Sequence, residues 1–238
     1  MEQVIFAVAF FAAYTIQAIT GFAGNVFSMP VATMFFGLDA AVAILNTTSF
    51  LACGLLAVLN YRHIVWKELG KIAGIMLPFV ILGIWLDSVI PLPALLKIFG
   101  VVVILVGIRN LLTKEQRFMP EWLMILIIML AGLIQGMFVS GGALLVIYAI
   151  QKFQDKLKFR ATLSALWAIF NLFYALIALY RGYFTVEVVS LIIICIPLAM
   201  LATFLGARLI KHISQQKFLI FVYWLLIAIG VLLIFSQV

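Results

Sequence analysis

Charge is what this sequence has least of. Its 238 residues include 15 Lys or Arg, 8 Asp or Glu and 2 His, against 67% hydrophobic residues. A soluble domain carries about 25% charged residues, and 10% is too little to cover a chain of this length in water. Lipid is therefore the expected solvent, as the mean hydropathy of +1.31 also requires. Cysteine is nearly absent too. Cys53 and Cys195 both fall within apolar runs, where a small buried hydrophobe is the ordinary reading and neither a disulfide framework nor metal-ligand spacing is offered. No carboxylate lies well inside an apolar run, so no intramembrane proton relay is visible. Walker-type phosphate loops and catalytic triads are missing as well. These absences leave no metal, no cofactor and no enzyme activity to expect.

What is present is a series of apolar segments at about 3–19, 26–37, 40–60, 72–87, 92–112, 121–137, 142–151, 161–180, 187–207 and 218–236. The chain begins Met-Glu-Gln without a basic stretch, so the first segment is expected to be a membrane helix and not a secretory signal. A helix needs about 20 residues to cross the hydrocarbon core. The segments 26–37 and 142–151 are too short, and each follows a glycine-containing break, Thr20–Asn25 in one case and Val139–Ala143 in the other.

The two halves of the chain match. Gln17 and Gln135, each just before a break, are 118 residues apart, while Tyr61-Arg62 recurs 119 residues later as Tyr180-Arg181 and Pro78 as Pro197. An internal duplication follows, with repeats over 1–118 and 119–238. Of the 15 basic residues, 13 lie in four loops, Arg62–Lys71, Arg109–Arg117, Lys152–Arg160 and Arg208–Lys217. If all ten segments enter and leave, these loops share one side, which the positive-inside rule makes cytoplasmic. The acidic residues split evenly between the two sides. Merging each broken pair into one helix would give eight crossings and place the first two basic loops opposite the last two. The expected architecture is therefore an all-α polytopic membrane protein. Its two inverted repeats have about five segments each, with paired broken or re-entrant helices, and both termini lie outside the cell (inner or plasma) membrane. The basic loops account for the net charge of +7 through anionic lipid, and no nucleic-acid partner is expected.

Non-helical backbone at membrane depth survives only where protein buries it or where it lines a cavity, and paired broken helices in inverted repeats point to a transport site. Two short helices beginning near Asn25 and near Ser140 would present unpaired N–H groups and positive dipole ends to an anion. Gly21, Gly24, Gly141 and Gly142 would let a ligand approach the backbone; the plainer alternative is close helix packing or tight turns. Gln17, Thr20 and Gln135 flank the breaks. Asn46 and Thr48 belong to a polar run that cannot all face one way, and Thr can bond back to its own helix. Trp167 and Asn171 share a helix face, although Asn171 could simply bond to a neighbouring helix. Arg62 and Arg181 lie at helix ends, where they either snorkel to headgroups or steer anions to the two mouths. His63 and His212 read as solvated loop residues.

The sequence resembles the TauE/SafE family, the sulfite exporter or toluene-sulfonate uptake permeases, along essentially its whole length. The resemblance rests on residues 17–50, QAITGFAGNVFSMPVATMFFGLDAAVAILNTTSF, on the Tyr-Arg that follows, and on residues 160–182, RATLSALWAIFNLFYALIALYRG. It implies transport of small sulfur-containing anions such as sulfite, thiosulfate or organosulfonates. Two alternatives stand beside an anion transporter: an intramembrane enzyme, and a structural or assembly subunit. The sequence leaves homo-oligomerisation open.

Overall fold

The computed structural model describes residues 2–86, 93–112, 119–138 and 141–235. The described residues form ten α-helices and no strand. They are α1 (Glu2–Thr20), α2 (Gly24–Phe36), α3 (Leu38–Leu59), α4 (Trp66–Leu86), α5 (Pro93–Leu112), α6 (Glu121–Phe138), α7 (Gly142–Lys152), α8 (Lys156–Tyr180), α9 (Val186–His212) and α10 (Gln215–Phe235). A 3-10 turn at Tyr61–His63 precedes α4. Each expected apolar segment is a helix. Several extend beyond the apolar run into polar sequence: α8 starts at Lys156 and α9 continues through Lys211 and His212, where basic side chains suit the negative C-terminal end of the dipole. Five helices, α3, α4, α8, α9 and α10, are long and apolar enough to cross a membrane. With 13 residues α2 spans about 20 Å and with 11 residues α7 about 16 Å, both well short of a hydrocarbon core of about 30 Å.

The helices fall into two compact units, each drawing segments from both halves of the sequence: Met1–Leu69 with Leu157–His212, and Gly70–Lys156 with Ile213–Val238. In the first unit α1 packs on α9, α2 on α1 and α3, and α3 on α9. Gly206 of α9 sits where a Cβ would fall 2.5 Å from the Ala18 Cβ. Phe10 and Tyr14 of α1 stack at 4.1 Å inside a core completed by small residues, among them Ala41, Ala199 and Ala202. Small residues let membrane helices approach closely, since lipid supplies no hydrophobic drive between them.

In the second unit α5 packs closely on α10. Gly100 meets Gly230, and Gly107 meets Tyr223 and Ile227. Partner numbers fall as the α5 numbers rise, so the two helices run antiparallel. Gly132 lies against Met76 and Gly136 against Val80 and Gly83; here the numbers rise together, so α4 and α6 are parallel. An ion pair of 3.0 Å between Lys71 and Glu121 joins their N-terminal ends. The short α7 is buried along Gly142–Ile150, as expected of a helix apolar on every side.

Candidate functional site

The first break occupies three residues between α1 and α2. Gly21 has φ 83° and Ala23 φ 79°, left-handed values that cost an alanine about 1 kcal/mol or more. The Gly21 N–H closes on the Gln17 carbonyl at 2.6 Å. The Thr20 hydroxyl lies 2.8 Å from the Ile16 carbonyl and 2.9 Å from that of Phe22, so it braces the turn. Gly21 is pressed against α8: a Cβ there would fall 2.6 Å from the Arg160 carbonyl oxygen. Phe22 meets Phe159 at 6.4 Å. Gly24 opens α2 beside the Gln17 side chain, which a Cβ would overlap. No side chain caps the N-terminus of α2, and its first turn carries no acid. The helix thus begins buried at Gly24 with its first N–H groups uncapped by any side chain.

A hydrogen-bonded cluster surrounds this start. Asn25 donates from Nδ2 to the Asn171 Oδ1 at 3.2 Å and accepts from the Ser49 hydroxyl at 2.5 Å. Ser49 also lies 3.4 Å from the Gln17 Oε1 and 3.0 Å from the Tyr14 hydroxyl, and Tyr14 is 2.6 Å from the Thr48 hydroxyl. Gln17 Nε2 approaches Cys53 Sγ at 3.2 Å. Helices α1, α2, α3 and α8 therefore meet through polar side chains in an otherwise apolar unit. Such a network stays buried only because nearly every member is satisfied.

Of the expected site residues, this cluster unites Gln17, Thr20, Gly21, Gly24, Asn25, Thr48 and Asn171. Thr48 also bonds back to Ile44 at 2.7 Å, the local alternative foreseen for it. Asn46 is fully buried, donates to the Val42 carbonyl at 2.8 Å, and leaves its Oδ1 unpartnered. Trp167 is buried with an unpartnered Nε1. Arg62 and Arg181 are exposed and stand apart from the cluster, each on a tyrosine. Arg62 Nε donates to Tyr61 at 3.0 Å and Arg181 to Tyr183 at 3.5 Å.

Gln135, Gly141 and Gly142 belong to the other unit. Gln135 Oε1 accepts the Gly141 N–H at 2.9 Å, and a Cβ on Gly141 would overlap the Ala131 carbonyl. Gly141 thus lies beside the middle of α6, and the chain has already turned back by the time α7 begins. Ser140 lies outside the described residues. In both breaks a glutamine packs on the glycine at the start of the next helix. The glycines at 21 and 141 lie against backbone of neighbouring helices, and Gly24 lies against the Gln17 side chain.

One placement differs from the sequence reading. Arg160, assigned to a basic loop, lies within α8 and is 2% exposed. The segment of α8 around Phe159 packs on the break, and Arg160 is buried there. The backbone of a basic residue counted among the loop cations therefore packs on the first break. Tyr14 is a further member that the sequence reading passed over; Ser49 belongs to the polar run noted there, and Cys53, read there as a small buried hydrophobe, also receives the Gln17 amide. The spacing of Tyr14 and Gln17, and of Asn46, Ser49 and Cys53, places each set on one helix face, a signal that was available.

Compared with known proteins, residues 5–233 match the family model described as "Sulfite exporter TauE/SafE". The chain is 24% identical over 175 residues to the "Probable inner membrane transporter protein TsaS" of Comamonas testosteroni, covering 72% of this chain and 73% of that protein. No solved structure matches it.

Proposed function

The chain belongs to the sulfite exporter TauE/SafE family, and from that premise we propose that it is a secondary transporter of small sulfur-containing anions such as sulfite, thiosulfate or organosulfonates. The observation that carries the anion reading is the start of α2. It is buried at Gly24, uncapped by any side chain, and set among Gln17, Ser49, Asn25 and Asn171. The aligned peptide dipoles place about half a positive charge there, where polar side chains can orient an oxyanion. The intramembrane-enzyme alternative would need a base beside a nucleophile, whereas Cys53 Sγ accepts from the Gln17 amide at 3.2 Å.

The proposed topology is multi-pass, with inverted repeats over 1–118 and 119–238 and both termini outside the cell membrane. The antiparallel pairing of α5 with α10 supports it. Merging each short helix with its predecessor would make α5 and α10 parallel, whereas ten reversing segments make them antiparallel. The test is uptake into proteoliposomes of an anion, its neutral analogue and a matched cation. Preference for the anion is expected. Preference for the cation would overturn the reading.

A further inference from the structure

Four residues of α8, Arg160, Ser164, Trp167 and Asn171, are spaced at i, i+4, i+7 and i+11 and so form one stripe along the helix. Both ends of that stripe touch the first break. The Arg160 backbone lies against Gly21, and Asn171 holds Asn25 at 3.2 Å. The two residues between them, Ser164 and Trp167, are 0% and 7% exposed, and their Oγ and Nε1 atoms have no hydrogen-bond partner. Arg160 is 2% exposed, and its side chain makes no hydrogen bond or ion pair with a described residue. No acidic residue occupies the first turn of α8. Arg160 therefore adds its charge to the positive end of its own helix dipole, while its backbone packs on Gly21.

A guanidinium enclosed by protein with no ion pair to a described residue is unfavourable. Unused donors in a buried indole and hydroxyl compound the cost. All three groups would be satisfied by one ligand, an oxyanion lying along the stripe. We propose that Arg160 is the charge-recognition residue of the transport site, with Ser164 and Trp167 as hydrogen-bond donors to the same anion. The guanidinium fork suits a planar pair of oxyanion oxygens, and the indole N–H and hydroxyl fix its orientation. This proposal rests on the anion-transport reading and names the side chains that select charge.

The test uses purified full-length protein and thermal stabilisation by two ligand pairs of matched shape, methanesulfonate with dimethyl sulfone and acetate with acetamide. Wild type is expected to prefer the anion in at least one pair. Arg160→Gln should then lower that preference by about 10- to 100-fold, the loss of a hydrogen bond to a charged group, without lowering the melting temperature of the ligand-free protein. Arg160→Lys should keep most of the preference. Trp167→Phe, which removes only the N–H, should weaken anion binding about 10-fold, while Lys217→Gln, at an exposed lysine, should change nothing. A purely structural arginine would lower affinity for both members of a pair together and leave their ratio intact. Should Arg160→Gln fail to fold, Arg160→Lys and Trp167→Phe decide, and wild-type anion affinity in Trp167→Phe overturns the proposal. A retained anion preference in Arg160→Gln also overturns it and leaves the transport reading standing. A wild-type protein indifferent to charge in both pairs would sink the two together, and preference confined to acetate would sink only the sulfur assignment.

Discussion

Gly21 rests on the backbone of Arg160, so closely that a Cβ in its place would fall 2.6 Å from the Arg160 carbonyl oxygen. The contact joins the turn between α1 and α2 to a helix 139 residues further along the chain. It fixes where the break lies relative to the stripe on α8.

Gly21→Ala meets two penalties there, a left-handed backbone at φ 83° and an overlap with α8. Left-handed strain of about 1 kcal/mol or more and overpacking of about 1–3 kcal/mol give an expected loss of about 2–4 kcal/mol. Thermal unfolding in detergent measures it. An unchanged melting temperature would show that the break can move off α8.

Gln135→Met keeps the length of the side chain but leaves the Gly141 N–H without its acceptor. A buried unsatisfied donor costs about 1–3 kcal/mol. The Gly141 amide should also exchange faster with solvent deuterium. Gln17→Met should cost less, because the partners of Gln17 are a thiol sulfur, a weak acceptor, at 3.2 Å and the Ser49 hydroxyl at a long 3.4 Å. Equal stability of Gln135→Met and wild type would remove the bracing role.

Asn25 and Asn171 should be coupled. Because they share one hydrogen bond within a larger network, Asn25→Ala and Asn171→Ala are expected to be non-additive by about 0.5–3 kcal/mol in a double-mutant cycle of stability. Strict additivity would mean that the bond joining α2 to α8 contributes nothing.

The topology is open to cysteine labelling in a background lacking Cys53 and Cys195. Cysteines at Lys67, Lys158 and Lys217, all exposed, should react only from the cytoplasmic side, and those at Asp39 and Val186 only from outside. Reaction of Lys67→Cys and Lys217→Cys from opposite sides would end the inverted-repeat assignment. Asp87 and Lys114, equally natural sites by sequence, lie outside the described residues.

Arg62→Gln and Arg181→Gln should slow uptake modestly at low salt and hardly at all at high salt, since exposed charges act on encounter through a screened field. A loss of transport that salt does not modulate would place either arginine in the binding site itself.

The sequence by itself determined the solvent, the helical segments and the position of the first break, because each depends on local features. Apolar runs specify helices in lipid, where every backbone group must be satisfied within its own segment. Glycines in the run 20–25 mark where a helix stops, and α2 indeed begins at Gly24, one residue from the expected Asn25. The facing of Trp167 and Asn171 was also legible, since helical spacing sets it. The tertiary structure alone decided what those residues touch. It gave Asn171 to Asn25, the Gln135 amide to the Gly141 N–H, and Ser49 to a cluster with Tyr14. It also moved Arg160 from an apparent basic loop into the protein interior. A charge count along the chain reads Arg160 as one more loop cation, because its burial depends on packing by α1 and α2, about 140 residues away in sequence. Hydropathy and spacing carry no record of which distant helix lies alongside, and that neighbour determines whether an arginine meets water or is enclosed by protein.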